Sequence, residues 1–228
     1  MGQIVTFYSY KGGVGRSMAL ANVAVILAQW GHDVLIVDWD LEAPGIEIYF
    51  KPYLGAEAVT RQEGVVDLLW SAAGPAAKPE GRKNWQDFLV DIQVPEIKGC
   101  LHLLTAGKRD DEYFRKVRSL DLHGFYYNQQ GGLFVESLRN EWKEDYDYIL
   151  VDSRTGITDI GGICTIQLPD MLVPMFTATD QALTGAVEVA EKARIAQQAL
   201  PFDRLSIVSV PIPSRFETQT EFEISQEW

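Results

Sequence analysis

Short apolar runs recur along this chain and alternate with stretches of helical periodicity. Ile4 to Tyr8, Val34 to Asp38, Tyr148 to Asp152 and Met171 to Phe176 are β-branched and apolar enough to form buried strands. Leu101 to Leu104 has the same character before a turn at Gly107, with His102 alternating inside it as a structural histidine, and Leu205 to Val210 is the last strand expected. Between the strands, Met18 to Trp30 has no charged residue and places Leu20, Val23, Ala24 and Leu27 at i, i+3, i+4, i+7. Gly31 is positioned to close that helix. Gly64 to Trp70 and the group Trp85, Phe88 and Leu89 predict short helices, and Asp110 to Arg118 a charged one. Phe134, Leu138 and Trp142 share one face of a helix that follows Gly131-Gly132. Gln181 to Leu200 predicts a long helix that buries Val189, Ala193, Ala196 and Leu200 and exposes the i, i+4 pair Glu188 and Lys192. Phe125, Tyr126 and Tyr127 belong to a core or an interface, and Ala72 to Arg82, rich in Ala, Gly and Pro, reads as a loop.

Strands joined by helical crossovers specify an α/β fold, a mostly parallel central sheet with helices on both faces and right-handed connections. Length (228 residues) and 46% hydrophobic content suit a single domain over 1–228, with an insertion around 53–130. No internal repeat interrupts it. No apolar run approaches the roughly 18 residues of a membrane span, and the chain opens on a strand pattern rather than a leader. Cys100 and Cys164 lie far apart without CxxC spacing, which argues against a disulfide framework and against zinc or iron–sulfur sites. A cytoplasmic location is expected. The formal net charge of −12 gives no strong nucleic-acid signal, because nonspecific binding needs an excess of lysine and arginine. It argues equally against a polybasic membrane anchor. Lys108, Arg109, Arg115, Lys116 and Arg118 are assigned to a solvated helix face.

The chemistry concentrates where the first strand meets the first helix, at Ser9-Tyr10-Lys11-Gly12-Gly13-Val14-Gly15-Arg16-Ser17. Glycines let several backbone N–H groups converge, and a helix N-terminus favours negative charge, so the stretch is a phosphate-binding loop. Ser17 can place its hydroxyl on a magnesium ion. Two positions depart from G-x-x-x-x-G-K-[ST]: Tyr10 replaces the first glycine and Arg16 replaces the lysine. A dinucleotide fingerprint is excluded, since Gly13-x-Gly15 would need Gly or Ala at Met18. Two further strands end in aspartate at the same edge of the sheet. Asp38 and Asp40 flank Trp39 after the second, and Asp152 closes Tyr148 to Asp152 in the form of a Walker B segment.

Lys11-Gly-Gly-Val-Gly-Arg-Ser resembles the deviant Walker A motif, KGGxGK[ST], of the ParA/MinD family of P-loop ATPases, and the resemblance extends over most of the chain. It implies a P-loop NTPase fold of SIMIBI-like type, with ATP and Mg2+ as ligands. Lys11 to Met18 would hold the nucleotide, and Lys11 would reach the nucleotide of a second copy in an ATP-dependent homodimer. Lys11 and Arg16 would supply cations and Asp40 would orient the attacking water, while Ser17, Asp38 and Asp152 would serve the metal. Asp152-Ser153-Arg154-Thr155-Gly156 keeps the Asp-Ser-x-x-Gly spacing of the family's nucleotide-sensing switch, in which Gly156 would meet the terminal phosphate. Pro211 and Pro213 are candidates for packing on adenine. Family members continue further after this point, so the chain is expected to be the N-terminal part of a longer protein, its partner-reading region lying outside it.

Two function classes stay open on the sequence: a slowly hydrolysing ATPase that acts as a dimerisation switch, and a noncatalytic nucleotide-gated interaction or signalling module. Arg16 separates them, because a guanidinium is bulkier and planar where lysine is a point charge. Retention of Lys11, Asp38, Asp40 and Asp152 favours hydrolysis. A bacterial tyrosine kinase of related P-loop type would carry a tyrosine-rich tail that is absent here, and an iron–sulfur ATPase would carry CxxC.

Overall fold

A computed structural model describes residues 1–55, 62–73, 83–128, 130–153 and 162–215. The first half runs β1 (Gln3–Ser9), α1 (Arg16–Trp30), β2 (Val34–Asp38), α2 (Glu47–Phe50), α3 (Val65–Ala73), β3 (Leu89–Asp91) and β4 (Leu101–Leu104). After these come α4 (Asp111–Ser119), α5 (Leu122–Asn128), α6 (Gly131–Asp145), β5 (Tyr148–Asp152), β6 (Met171–Thr177), α7 (Asp180–Gln198), β7 (Val208–Ser209) and β8 (Ile212–Ser214). A single π-helical turn, Ile163–Gln167, precedes β6.

The strands form one sheet in the order β3-β4-β2-β5-β1-β6-β7, with β8 also on β6. Every pairing is parallel except β3 against β4. β1 lies inside the sheet, with Gln3 opposite Tyr148 on one side and Val5 opposite Met171 on the other. Successive side chains of a strand point to opposite faces, and each face here has its own core. Ile4, Leu35, Val37, Ile149 and Val151 meet α3 and α6 through residues such as Leu68, Phe134, Leu138 and Trp142. Phe7, Val34, Ile36, Leu103 and Leu150 meet α1 and α2 on the opposite face through Leu20, Ala24, Ala28 and Phe50. α7 lies over β6, where Val189 and Ala193 pack on Tyr8 and Leu172. Helices therefore cover both faces, as the alternation of elements predicts. Residues 53–130 supply α3 to α5, β3 and β4, and β4 pairs directly with β2.

Several boundaries and faces differ from the sequence pattern. The buried stripe of α1 is Leu20, Ala21, Ala24 and Ala28, whereas Val23 is exposed and Leu27 half-buried. Apolar residues run most of the way round this helix, with Asn22 and Gln29 as exposed polar positions in its body, and small alanines allow the closest approach to the sheet. On α7 the buried set extends through Ala182, Gly185, Ala186, Val189 and Ala193 to Gln197, while Ala196 and Leu200 are only half-buried. The Gln197 amide is satisfied in place: it donates to Pro169 O (3.2 Å) and accepts from Ile207 N (2.7 Å).

The last strand begins later than expected and runs further, since Leu205 is 93% exposed while Pro213 pairs with Phe176. β7 and β8 share one register on β6 (Met171 with Val208, Met175 with Ile212), so they are one strand interrupted at Pro211, which has no N–H to give. Leu89 belongs to a strand and not to the helical turn before it. The basic stretch of α4 is not a wholly solvated face. Lys116 bonds Asp67 at 2.7 Å, Tyr113 is buried and donates to Leu41 O at 2.7 Å, and Arg109 pairs with Glu47. Among the described residues no helix is long and apolar enough to cross a membrane. Cys100 and Cys164 are both free thiols.

Candidate functional site

β1, β5 and β2 lie side by side in that order, and the carboxyl ends of β2 and β5 bring Asp38 and Asp40 together with the sequence-distant Asp152 near the loop that follows β1. The loop after β1 turns at Gly13 (φ 79°) and Gly15 (φ 86°), left-handed conformations that cost glycine nothing. Gly15 caps α1, so the turn delivers its backbone to the positive end of a 15-residue helix. Space is open around Gly12 and Gly13, where an added Cβ would meet nothing within 4 Å, and both are exposed. Val14 is buried in the core beneath the loop and anchors it, while Met18 is half-exposed on α1. The loop is thus open on its outer side at a helix N-terminus, where negative charge is favoured.

Below it lies a buried ionic cluster. The Arg16 side chain is 8% exposed and turns inward from the start of α1. Its Nε donates to Asp152 Oδ1, its Nη2 donates to Asp40 Oδ2 at 2.9 Å, and its Nη1 lies 3.5 Å from Ser9 Oγ. Burial alone would lower the arginine's pKa, but Asp152 and then Asp40 raise it above its ordinary value, so the guanidinium stays charged. Burial raises the Asp152 carboxyl, opposed by Arg16 and by the Ser17 hydroxyl that bonds it. Asp40 is held at its second oxygen too, where Oδ1 accepts from Ala43 N at 3.2 Å. Cys164, in the π-helical turn beside this cluster, is fully buried and its thiol is pushed well above the usual range.

Asp38 is placed differently from the other two acids. It is 0% exposed and accepts two backbone bonds, from Asp40 N (3.2 Å) and Gly45 N (3.1 Å), closing the loop that carries Asp40. Burial, and next the neighbouring Asp152 charge, push its pKa up to about 7. A carboxyl that holds its proton more tightly when folded than when unfolded makes stability fall as pH climbs from about 4 towards 7. Below that window Asp38 costs nothing; above it the whole penalty of a buried charge is present. The thermal midpoint is therefore expected to drop by several degrees between pH 5 and pH 8, a slope that Asp38→Asn removes. Calorimetry at four pH values checks it, and an equal slope in both proteins would contradict it.

Lys11 is exposed and its Nζ donates to Gln181 Oε1 at 2.5 Å, in the first turn of α7. One turn further along that helix, Gly185 faces Tyr10 so closely that an added Cβ would stand 2.5 Å from the tyrosine ring. The loop is thus docked on α7 at two points, and neither Gln181 nor Gly185 carries a signal in the sequence. Pro211 and Pro213 are exposed on the sheet edge along β6, apart from this cluster. Arg154, Thr155 and Gly156 lie outside the described residues. Among the described residues no three His, Cys, Asp or Glu side chains are arranged to hold a metal ion by themselves. Ser17 and Asp152 bond each other at the start of α1, and a hydroxyl with a carboxylate is a donor set that would suit magnesium, an ion that keeps water and phosphate oxygens as its further ligands.

Residues 5–224 match the CbiA family, the CobQ/CobB/MinD/ParA nucleotide binding domain. A probable plasmid-partitioning protein ParA from Thermus thermophilus is 24% identical over 221 residues, 96% of this chain and 59% of that protein. A septum site-determining protein MinD from Helicobacter pylori is 29% identical over 157 residues, 69% of this chain and 46% of that one. The chain thus spans about half to three fifths of the length of these relatives. Among solved structures, MinD from Pyrococcus horikoshii, complexed with Mg-ADP, superposes with a TM-score of 0.68 at 20% identity. The match covers all of this chain and 77% of that one.

Proposed function

This chain belongs to the CobQ/CobB/MinD/ParA nucleotide-binding family, and from that premise we propose that it is a Mg-ATP-binding, slowly hydrolysing ATPase that dimerises in the ATP state. The observation that carries the reading is the convergence of the Gly13–Gly15 cradle with Ser17 and Asp152 at one end of α1. In this reading the backbone of Gly12 to Arg16 receives the phosphates. ATP supplies the transferable phosphoryl group and magnesium neutralises its charge. Ser17 and Asp152 hold the metal side of the site and Asp38 fixes the loop that presents Asp40. Asp40 orients water for in-line attack, a task that needs position rather than covalent chemistry. Lys11, at the rim, is available to a second copy once it leaves Gln181. By the family resemblance Gly156 would meet the terminal phosphate, and Pro211 and Pro213 would border the base. The paired-free cysteines suit work in the cytoplasm.

A second reading, a nucleotide-gated binding module that barely turns over, is favoured by one specific observation. Arg16, at the position of the P-loop lysine, is engaged by Asp152 and Asp40 below the loop. Titration with a fluorescent ATP analogue in magnesium, followed by light scattering and phosphate release, separates the readings. Binding, dimers and slow release support the ATPase; binding and dimers without release leave the gated module. No binding by folded protein overturns both.

A further inference from the structure

The arginine that departs from the lysine pattern does more than preserve a positive charge. Its guanidinium is divided between two acids that the proposed reaction needs free: Nε to Asp152 and Nη2 to Asp40. Both carboxylates are nearly enclosed, at 3% and 9% side-chain exposure, and so is the arginine. A lysine has one compact ammonium and cannot present two separate nitrogens of a rigid planar fork to two carboxylates, as Nε and Nη2 do here. Asp40 is also engaged at its other oxygen by Ala43 N, so each of its two oxygens already accepts a hydrogen bond in that arrangement.

We propose that Arg16 is an interlock, a positioning residue that in the nucleotide-free protein occupies the water-orienting acid and the metal-side acid together. A polyphosphate in the cradle draws the guanidinium upward and releases both acids in one movement. The inference rests on the functional reading above, and it adds an ordering: neither acid becomes competent until the phosphates have arrived. Opening the clamp breaks two charge-assisted bonds in a low-dielectric setting, so part of the intrinsic binding energy is spent on it. Apparent affinity is then reduced by the fraction of molecules in which the clamp is open.

This gives an outcome whose sign a merely structural role would not produce. Asp40→Asn removes one charged arm of the clamp while keeping the side-chain shape and an oxygen for Ala43 N. It is expected to bind a fluorescent ADP or ATP analogue roughly tenfold more tightly than wild type, although it loses turnover. Arg16→Lys, which replaces the two-armed planar contact by a single ammonium, should shift affinity in the same direction, and circular dichroism melts establish that both variants are folded. A second readout needs no variant of the acids. The Arg16 Nε–H, buried against Asp152, should give a slowly exchanging 1H–15N signal in nucleotide-free protein, identified by its loss in Arg16→Lys. Addition of a non-hydrolysable ATP analogue with magnesium should move or broaden it.

Tighter binding by Asp40→Asn together with a displaced Arg16 signal supports the interlock. Unchanged or weaker binding by folded Asp40→Asn, or an Arg16 signal unmoved in nucleotide-saturated wild type, overturns the interlock alone and leaves the nucleotide-binding reading intact. Absence of nucleotide binding by wild type and both folded variants overturns the functional reading itself.

Discussion

Replacing Asp40 by alanine is expected to reduce ATP turnover by roughly 10²–10³-fold while ATP-dependent dimers persist. The reason is positional. Asp38 accepts the Asp40 amide and the Gly45 amide, which fixes the Asp40 backbone at the carboxyl end of β2 within reach of the space below the P-loop. Removing the Asp40 carboxylate leaves the cradle, Ser17 and Asp152 in place, so the nucleotide and the metal side of the site survive. Phosphate release at saturating ATP measures the first effect and light scattering the second. Turnover equal to wild type would remove Asp40 from the reaction; loss of both turnover and dimers would assign it to loop structure instead.

The second large effect concerns the contact between the loop and α7. Gly185→Ala places a methyl group 2.5 Å from the Tyr10 ring, well inside van der Waals contact, so the ring and the loop that carries it must shift. Nucleotide affinity is expected to fall about tenfold, with a stability loss of about 1–3 kcal/mol, the range for overpacking a tight contact. The informative variant is the pair. Tyr10 stands where the P-loop pattern has glycine, so Tyr10→Gly empties the space that the new methyl needs. In that background Gly185→Ala should cost little, a coupling of about 1–3 kcal/mol between positions far apart in the chain. Additive losses across the four proteins of this cycle would show that the two residues do not compensate each other.

That pairing marks the limit of what the sequence discloses. The P-loop, the strand-end acids and the α/β layering were legible because each rests on local chemistry: glycine before a helix, aspartate after an apolar run, and alternation of two hydrophobic periods. Gly185 and Gln181 were not, because their significance lies in what stands opposite them across the fold. The burial of Arg16 between Asp152 and Asp40 was equally hidden, since a motif match assigns a residue its usual ligand and says nothing of rival partners nearby. The face of α1 was misjudged for another reason. Apolar residues run most of the way round this helix, so Asn22 and Gln29 mark its outer side only sparsely, and the sheet selected the alanines. The late start and long run of the final strand depended on β6, whose register carried pairing past Pro211.

The place of β1 in the strand order bears on how the protein is made. Its neighbours are β5 and β6, so Gln3 waits for Tyr148 and Val5 for Met171. On a ribosome adding roughly 5–20 residues each second, the N-terminal strand emerges many seconds before either neighbour exists. During that interval β2 and β4 can pair with each other, but the segment Ile4 to Tyr8 has no edge to join. Non-local parallel pairing of this kind is slow and leaves apolar strands exposed to other chains. The body of α1 beyond Arg16, which follows, offers no charge to repel them. The strand that carries the nucleotide loop therefore gains both of its neighbours only once residues 148–177 have been made.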